Sequence, residues 1–169
     1  MTTGQLAPPW RVSRWFNSAP LTLADLRGRV VVAHAFQMLC PGCAVHALPQ
    51  MQRVRQTFPA DRVAVIGLHT VFEHHEAQGP AALEAFLYEY RYAFPVGVDA
   101  YADGDPLPLT MRAYAMQGTP TLMLIDAQGR LREQHFGVLD DLALGVALGR
   151  LLGEVDAAAA GTTGANPST

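Results

Sequence analysis

The chain places its two cysteines directly after a short apolar segment, and this order constrains the fold more than any other feature. Residues 29–36, RVVVAHAF, are apolar and rich in β-branched residues, the pattern of a fully buried strand. Both cysteines follow in MLCPGC, residues 38–43. Pro41 suits the first turn of a helix, because its missing N–H would be unpaired there anyway. The sequence therefore predicts a strand that leads into a helix, with Cys40 at the N-cap and Cys43 one turn further on.

The rest of the chain alternates between strand and helix patterns. Residues 62–70, RVAVIGLHT, are predicted to form a second buried strand, and residues 79–92 repeat apolar side chains at helical spacing. A hairpin is expected at DAQG, followed by a last helix over 140–152. This order predicts an α/β sandwich with a central mixed sheet and helices on both faces. The helix after the cysteines should be kinked by a proline, and its inner stripe should include Val45, Leu48, Val54 and Phe58.

The 169 residues are expected to form one domain with an extension at each end. Residues 1–20 contain three prolines and read as an irregular arm that is packed on the core by Trp10 and Trp15. Residues 21–155 are predicted to be the folded domain. Residues 156–169 consist mostly of Ala, Gly and Thr, and we expect a disordered tail there.

Composition and charge exclude several classes of function. The formal net charge is −3 and no basic cluster occurs, which argues against nucleic acid and anionic membranes as partners. All 12 basic residues are Arg, so no Lys-based chemistry is available. No apolar run fits a signal peptide or a membrane span, and we therefore expect a cytoplasmic protein. In the cytoplasm a cysteine pair is more often catalytic or metal-binding than structural.

The predicted positions of the cysteines favour thiol chemistry. A nucleophilic cysteine must be a thiolate, and a helix N-terminus stabilises negative charge through its dipole and its unpaired N–H groups. We expect this position to lower the pKa of Cys40 and to leave its sulfur partly exposed. Cys43 should be better shielded and within reach of Cys40. The pair then has the arrangement of an attacking thiol with a resolving thiol behind it.

A strand that feeds a C-x-x-C at a helix start, with Thr-Pro before a later strand, resembles the thioredoxin fold. GTPT, residues 118–121, is similar to the cis-proline loop of that family. The resemblance implies a three-layer sandwich in which Pro120 is the cis residue and Thr119 offers backbone groups to the substrate. The N-terminal arm, LADLRGRVVV and a helix inserted between Val71 and Pro95 resemble the redoxin branch. That branch includes TlpA-like and alkyl-hydroperoxide-reductase-like proteins.

Several positions depart from the family patterns. His34 stands where thioredoxins carry a buried acid, and His46 stands where cytochrome-maturation relatives carry a Glu. Either imidazole could take a proton from Cys43. For His34 the favoured interpretation is a neutral buried histidine tied to a backbone carbonyl. Peroxiredoxins carry a Pro and a Thr at the positions of Ala33 and Gln37, which argues against a dedicated peroxidase. Gln37 could still direct its amide at the site.

A cluster of histidines and glutamates follows the second predicted strand. The segment GLHTVFEHHEAQG contains His69, Glu73, His74, His75 and Glu76. So many potential ligands suggest a metal, but their spacing fits no zinc motif. There are two other interpretations. The segment is a polar loop that orders the next helix, or His69 joins Gln37 as a polar residue of the site. We therefore predict no metal or other cofactor, with His69, His74 and His75 as weak metal candidates.

The leading prediction is a thiol–disulfide oxidoreductase in which Cys40 attacks and Cys43 resolves. One alternative is a thiol-dependent peroxidase of the redoxin type, which would form a sulfenic acid on Cys40. Another is a non-enzymatic metal-binding or redox-sensing module. The expected substrate is a disulfide or a hydroperoxide, and thioredoxin or glutathione is the expected electron donor. The sequence predicts no particular oligomeric state.

Overall fold

The computed structural model describes residues 4–163, with side chains to residue 161. Its centre is a six-stranded sheet with the order β1-β4-β3-β2-β5-β6. Strands β2, β3 and β4 are parallel to one another, and β1, β5 and β6 pair antiparallel with their neighbours. The predicted mixed sheet is therefore confirmed. The strands are β1 (Val12–Phe16), β2 (Val30–Phe36), β3 (Val63–His69), β4 (Val96–Asp99), β5 (Thr121–Ile125) and β6 (Leu131–Phe136).

Helices cover the sheet on both faces. One core lies on the face covered by α1, α2 and α4, and it includes Phe36, Met51, Leu83 and Leu148. The other core lies on the opposite face, where Met111 of α3 packs with strand residues. This arrangement is the three-layer α/β sandwich that the sequence predicts, and α2 is the inserted helix. The helices are α1 (Leu48–Thr57), α2 (Pro80–Glu89), α3 (Leu109–Ala113) and α4 (Asp141–Thr163).

The N-terminal arm is more regular than the sequence suggests. Leu6 forms an antiparallel bridge with Arg130, beside the start of β6. The arm then crosses the second core, where Trp10 and Trp15 pack, and enters β1 at the far edge of the sheet. Pairing of β1 with β4 gives the arm an ordered strand, so the expectation of an irregular segment is wrong there. The arm thus contacts both edges of the sheet.

The predicted disordered tail begins too early. Helix α4 continues to Thr163, so the prediction is wrong for residues 156–163, whereas residues 164–169 lie outside the described part. Four consecutive alanines occupy residues 157–160, and Ala is the strongest helix former. Val155 packs against the core, and the Arg62 guanidinium lies 2.8 Å from the Asp156 carboxylate. No described helix has the length and apolar character needed to cross a membrane.

Candidate active site

Cys40 occupies the N-cap position after β2, as the sequence predicts. The N–H groups of Cys43 and Ala44 both donate to the Cys40 carbonyl oxygen at 3.0 Å. The Cys43 N–H also lies 3.2 Å from the Cys40 Sγ, which therefore accepts a hydrogen bond from the first turn of the helix. Both cysteines are free thiols, and Cys40 is partly exposed whereas Cys43 is buried. The helix start thus directs a backbone donor at the exposed sulfur.

Cys43 has an environment opposite to that of Cys40. Burial raises the pKa of the Cys43 thiol because a thiolate is poorly solvated in the core, and the neighbouring Cys40 raises it further. The backbone N–H of Gln37 and the side chain of Thr119 act in the opposite direction, since hydrogen bonds to a thiolate stabilise it. The net effect of these surroundings favours the protonated thiol of Cys43.

The loop before β5 lies directly against the cysteines. The Thr119–Pro120 peptide bond is cis. The Cys40 thiol donates to the Thr119 carbonyl oxygen at 3.4 Å. Gly42 packs so closely on this loop that a Cβ there would lie 3.3 Å from the Pro120 Cδ. The Gly137 N–H, at the end of β6, donates to the Pro120 carbonyl oxygen at 2.8 Å. The loop before β5 therefore packs on the segment that carries the cysteines, and the end of β6 in turn holds that loop.

The helix after the cysteines contains a widened turn. Residues Cys43–Ala47 are π-helical, and the Leu48 N–H donates to the Cys43 carbonyl oxygen five residues back. Pro49 follows in the first turn of α1, so the distortion lies just before the proline. The added residue in this turn changes which side chains face inward. Val45, which was predicted to face the core, is 65% exposed.

The two histidines predicted near Cys43 have different surroundings. His34 is buried within β2, neither ring nitrogen has a hydrogen-bond partner among residues 4–163, and burial lowers its pKa to about 4. The nearby Gln50 side chain only partly opposes that effect, and its amide instead donates to Leu139 and Asp141. His46 is exposed on the π-turn. Within the described residues, no hydrogen bond joins either imidazole to a cysteine.

Gln37 is buried, and its side chain points at the loop before β5. Its amide nitrogen donates to the Thr119 Oγ1 and the Glu73 Oε1, each at 3.3 Å. Its amide oxygen accepts from Gln78, a second buried glutamine, at 3.2 Å. Sequence reasoning did not identify Gln78, because a single Gln between a polar loop and a helix carries no distinctive pattern.

The three weak metal candidates do not meet. His69 is buried at the end of β3, with its ring centroid 5.3 Å from that of Phe36, and burial lowers its pKa to about 4. His74 is exposed, and the His75 Nε2 lies 3.2 Å from the Pro106 carbonyl oxygen. Across residues 4–163, no group of three or more His, Cys, Asp or Glu side chains is arranged to hold a metal ion.

An apolar rim of exposed side chains lies on the segments that carry or contact the two cysteines. It consists of Leu39, Val45, Phe136 and Val138, each at least half exposed. Leu39 precedes Cys40, and a Cβ on Gly42 would lie 3.9 Å from the Val138 Cγ2. A Cβ on Gly118 would lie 2.9 Å from the Phe136 ring, so the ring covers the backbone beside Thr119. These side chains offer an apolar contact surface around Cys40.

Comparisons with known proteins identify a family and a fold for this chain. The profile of the AhpC/TSA family matches residues 3–134. The crystal structure of a thioredoxin-like superfamily protein, SPOA0173, shares 58% identity over 89% of this chain and 97% of that chain, with a TM-score of 0.86. A thiol-disulfide isomerase from Corynebacterium glutamicum shares 47% identity over 86% of this chain and 96% of that chain, with a TM-score of 0.83.

A third structure shows the fold alone. A putative thiol:disulfide interchange protein DsbE from Chlorobium tepidum is 24% identical, with 90% of this chain and 99% of that chain covered and a TM-score of 0.72. A search of curated proteins found no match.

Proposed function

Because the chain belongs to the AhpC/TSA family and has a thioredoxin-like fold, we propose that it is a thiol–disulfide oxidoreductase that uses Cys40 and Cys43. The observation that carries the proposal is the contrast between the two sulfurs. The Cys40 sulfur is partly exposed and accepts a backbone hydrogen bond at a helix start, whereas Cys43 is buried one turn behind it. An exposed sulfur beside a protected one suits attack followed by resolution.

The reaction has two exchange steps. The Cys40 thiolate attacks one sulfur of a substrate disulfide, forms a mixed disulfide and releases the other sulfur as a thiolate. Cys43 then loses its proton and attacks the Cys40 sulfur. This step forms the Cys40–Cys43 disulfide and releases the second substrate thiolate. The two cysteines supply both electrons, and the released thiolates take up protons.

The loop before β5 and the apolar rim support contact with the substrate. The Thr119 carbonyl oxygen lies 3.4 Å from the Cys40 sulfur, so a substrate chain bound there would lie against the backbone of Thr119 and Pro120. The rim would contact apolar side chains on either side of the substrate cysteine. The proposed role of Thr119 and Pro120 is therefore to align the substrate.

A second candidate function is a thiol peroxidase, and the match to the AhpC/TSA family favours it directly. The Cys40 thiolate would attack one oxygen of a hydroperoxide, which gives a sulfenic acid on Cys40 and an alcohol. Cys43 would then attack the sulfenic sulfur, which gives the disulfide and water. Ala33 and Gln37 stand where peroxiredoxins carry Pro and Thr, so we rank this function second.

Regeneration requires an external reductant. A dithiol such as thioredoxin, or two molecules of glutathione, would reduce the Cys40–Cys43 disulfide by the reverse exchange. A cytoplasmic location, where such donors are present, is part of the proposal.

The test is a titration of free thiols before and after one equivalent of hydrogen peroxide, in wild type and Cys43→Ser. We expect the free thiols to be lost slowly with peroxide. In a buffer of oxidised and reduced glutathione, we expect the two cysteines to be converted cleanly to a disulfide. Loss of both thiols within seconds, together with a sulfenic acid trapped on Cys40 in Cys43→Ser, would make the peroxidase the primary function. If neither oxidant joins the two cysteines, both proposals fail.

A further inference from the structure

We propose that Gln37 and Gln78 form a glutamine clamp that positions the Thr119 hydroxyl for hydrogen bonding to Cys43 during the second exchange step. The inference rests on the proposed function, because it assigns residues to the resolution step of that reaction. It makes the inserted segment between β3 and α2 a part of the site. The three residues are positioning residues for the thiol that resolves the mixed disulfide.

Gln78 joins the inserted segment to the cysteine loop. Its amide oxygen accepts from the N–H of Leu39, the residue before Cys40, at 3.1 Å. Its amide nitrogen donates to the Glu73 carbonyl oxygen at 2.9 Å and to the Gln37 amide oxygen at 3.2 Å. Gln78 is buried, so these bonds are shielded from water. The inserted segment therefore holds the backbone on which Cys40 stands.

Gln37 carries this support to the loop before β5. Its amide oxygen accepts from the Phe72 N–H at 3.2 Å as well as from Gln78. Both acceptor sites are then filled, so the amide nitrogen must face the other way. There it donates to the Thr119 Oγ1 and the Glu73 Oε1, each at 3.3 Å. The orientation of Gln37 is thus fixed by three partners on the inserted segment.

The bond from Gln37 determines what the Thr119 hydroxyl can do. Since the Thr119 oxygen accepts from Gln37, its own hydrogen is free to be donated elsewhere. The Thr119 side chain lowers the pKa of the Cys43 thiol, against the effect of burial. The backbone N–H of Gln37 lowers the same pKa. When Cys43 loses its proton in the second step, both donors can stabilise the charge that forms.

The clamp should therefore affect the second exchange step more than the first. The first step depends on Cys40, whose sulfur accepts from the Cys43 N–H and not from Thr119. The second step requires a thiolate on a buried sulfur. A hydrogen bond to a charged group contributes about 1.5–3 kcal/mol, which corresponds to a rate change of about tenfold to a hundredfold.

The experiment uses 5,5′-dithiobis(2-nitrobenzoate), a symmetrical aromatic disulfide, with the full chain in its reduced form. Attack by Cys40 releases one coloured thiolate, and attack by Cys43 on the mixed disulfide releases the second. We expect Thr119→Val to slow the second release about tenfold to a hundredfold and to leave the first nearly unchanged. Thr119→Ser keeps the hydroxyl and should restore the wild-type rate. Gln37→Met, which removes the side-chain amide oxygen and nitrogen, should behave like Thr119→Val.

The pH dependence separates positioning from a general loss of structure. In Thr119→Val the rate of the second release should begin to rise at a higher pH than in wild type, because the Cys43 thiolate has lost a hydrogen-bond donor. Gln128→Met, an exposed glutamine far along the chain, should match wild type in both phases. Equal slowing of both phases, or a Thr119→Ser variant as slow as Thr119→Val, overturns the clamp. A single release in wild type, identical to Cys43→Ser, would instead overturn the proposed function.

Discussion

Two buried histidines on one face of the sheet link this fold to pH. The ring nitrogens of His34 and His69 have no hydrogen-bond partner among the described residues, and burial lowers each pKa to about 4. In the unfolded chain a histidine has a pKa near 6.5. The unfolded state therefore binds more protons than the folded state between these two values. By linkage, the contribution of these two histidines to the free energy of unfolding is fully present above pH 6.5 and declines as the pH falls toward 4.

We predict that the free energy of unfolding falls by roughly 1 kcal/mol per pH unit for each buried histidine between pH 6.5 and 5. His69→Leu removes one of the two groups and should make the dependence about half as steep. Urea unfolding at pH 7, 6 and 5 measures it. His74→Gln replaces an exposed histidine and should keep the wild-type dependence. An equally steep dependence in His69→Leu would show that His69 does not titrate in this way.

Individual site residues differ in how far the sequence could predict them. Cys40 and Cys43 follow from spacing and helix-start chemistry, and the resemblance of GTPT to a known loop indicated Thr119 and Pro120. Gln78 could not be predicted, because its role depends on three bonds to segments far apart in the chain. The metal interpretation of His69, His74 and His75 rested on their proximity in sequence. In the structure His69 is buried at the end of β3, whereas His74 and His75 are exposed in the segment that follows.

At the scale of elements, helix α4 has an outer face with open space around it. It contains Gly145 and Gly149 at exposed positions where an added Cβ would meet no atom within 4 Å. Glycine destabilises a helix interior by about 0.5–1 kcal/mol relative to alanine, because the unfolded chain loses more freedom. The helix therefore has room for stabilising substitutions on its outer face.

We predict that Gly145→Ala and Gly149→Ala each raise the free energy of unfolding by about 0.5–1 kcal/mol. The urea midpoint at pH 7 measures the effect, and the slope of the transition should stay constant. Gly118→Ala is the matched contrast, because its Cβ would lie 2.9 Å from the Phe136 ring and should destabilise the protein. Destabilisation by Gly149→Ala would mean that its outer face is covered.

Element boundaries were the least predictable part of the fold. The strands β2 and β3 appear where β-branched runs predict them, within one residue at each end. The composition of the tail predicts disorder, whereas its four consecutive alanines favour a helix. The helix propensity prevails, so the predicted end of α4 is too early. The π-turn was missed for a different reason. Apolar periodicity assumes 3.6 residues per turn, and one turn with an extra residue shifts Val45 outward without any sequence signal.

At the scale of the whole molecule, the apolar rim should distinguish large substrates from small ones. We expect a polypeptide disulfide to contact Phe136 and Val138 beside the cysteines, whereas a small disulfide would reach only Cys40 and the adjoining backbone. Loss of a partly buried apolar contact costs about 1–2 kcal/mol, which corresponds to several-fold to about thirtyfold in kcat/KM.

We predict that Val138→Ser lowers kcat/KM for a polypeptide disulfide such as insulin by about fivefold to thirtyfold. Activity with 5,5′-dithiobis(2-nitrobenzoate) should change less than twofold, within the range of about ±0.5 kcal/mol expected for a surface substitution. Tyr88→Ser removes another exposed side chain, on α2, and should leave both activities unchanged. A parallel loss with both substrates would assign Val138 to the support of Gly42 instead of to substrate contact.

The N-terminal arm has a consequence for how copies of this protein behave in concentrated solution. Strand β4, VGVD, is largely buried, and β1 covers its outer side with a strand that contains Arg14 and Ser13. Charged, short outer strands discourage strand addition between molecules, whereas bare apolar ones promote it. Removal of residues 1–17 would leave β4 as an open template. We therefore expect the arm to limit self-association, and a chain without it should aggregate more readily than the full chain.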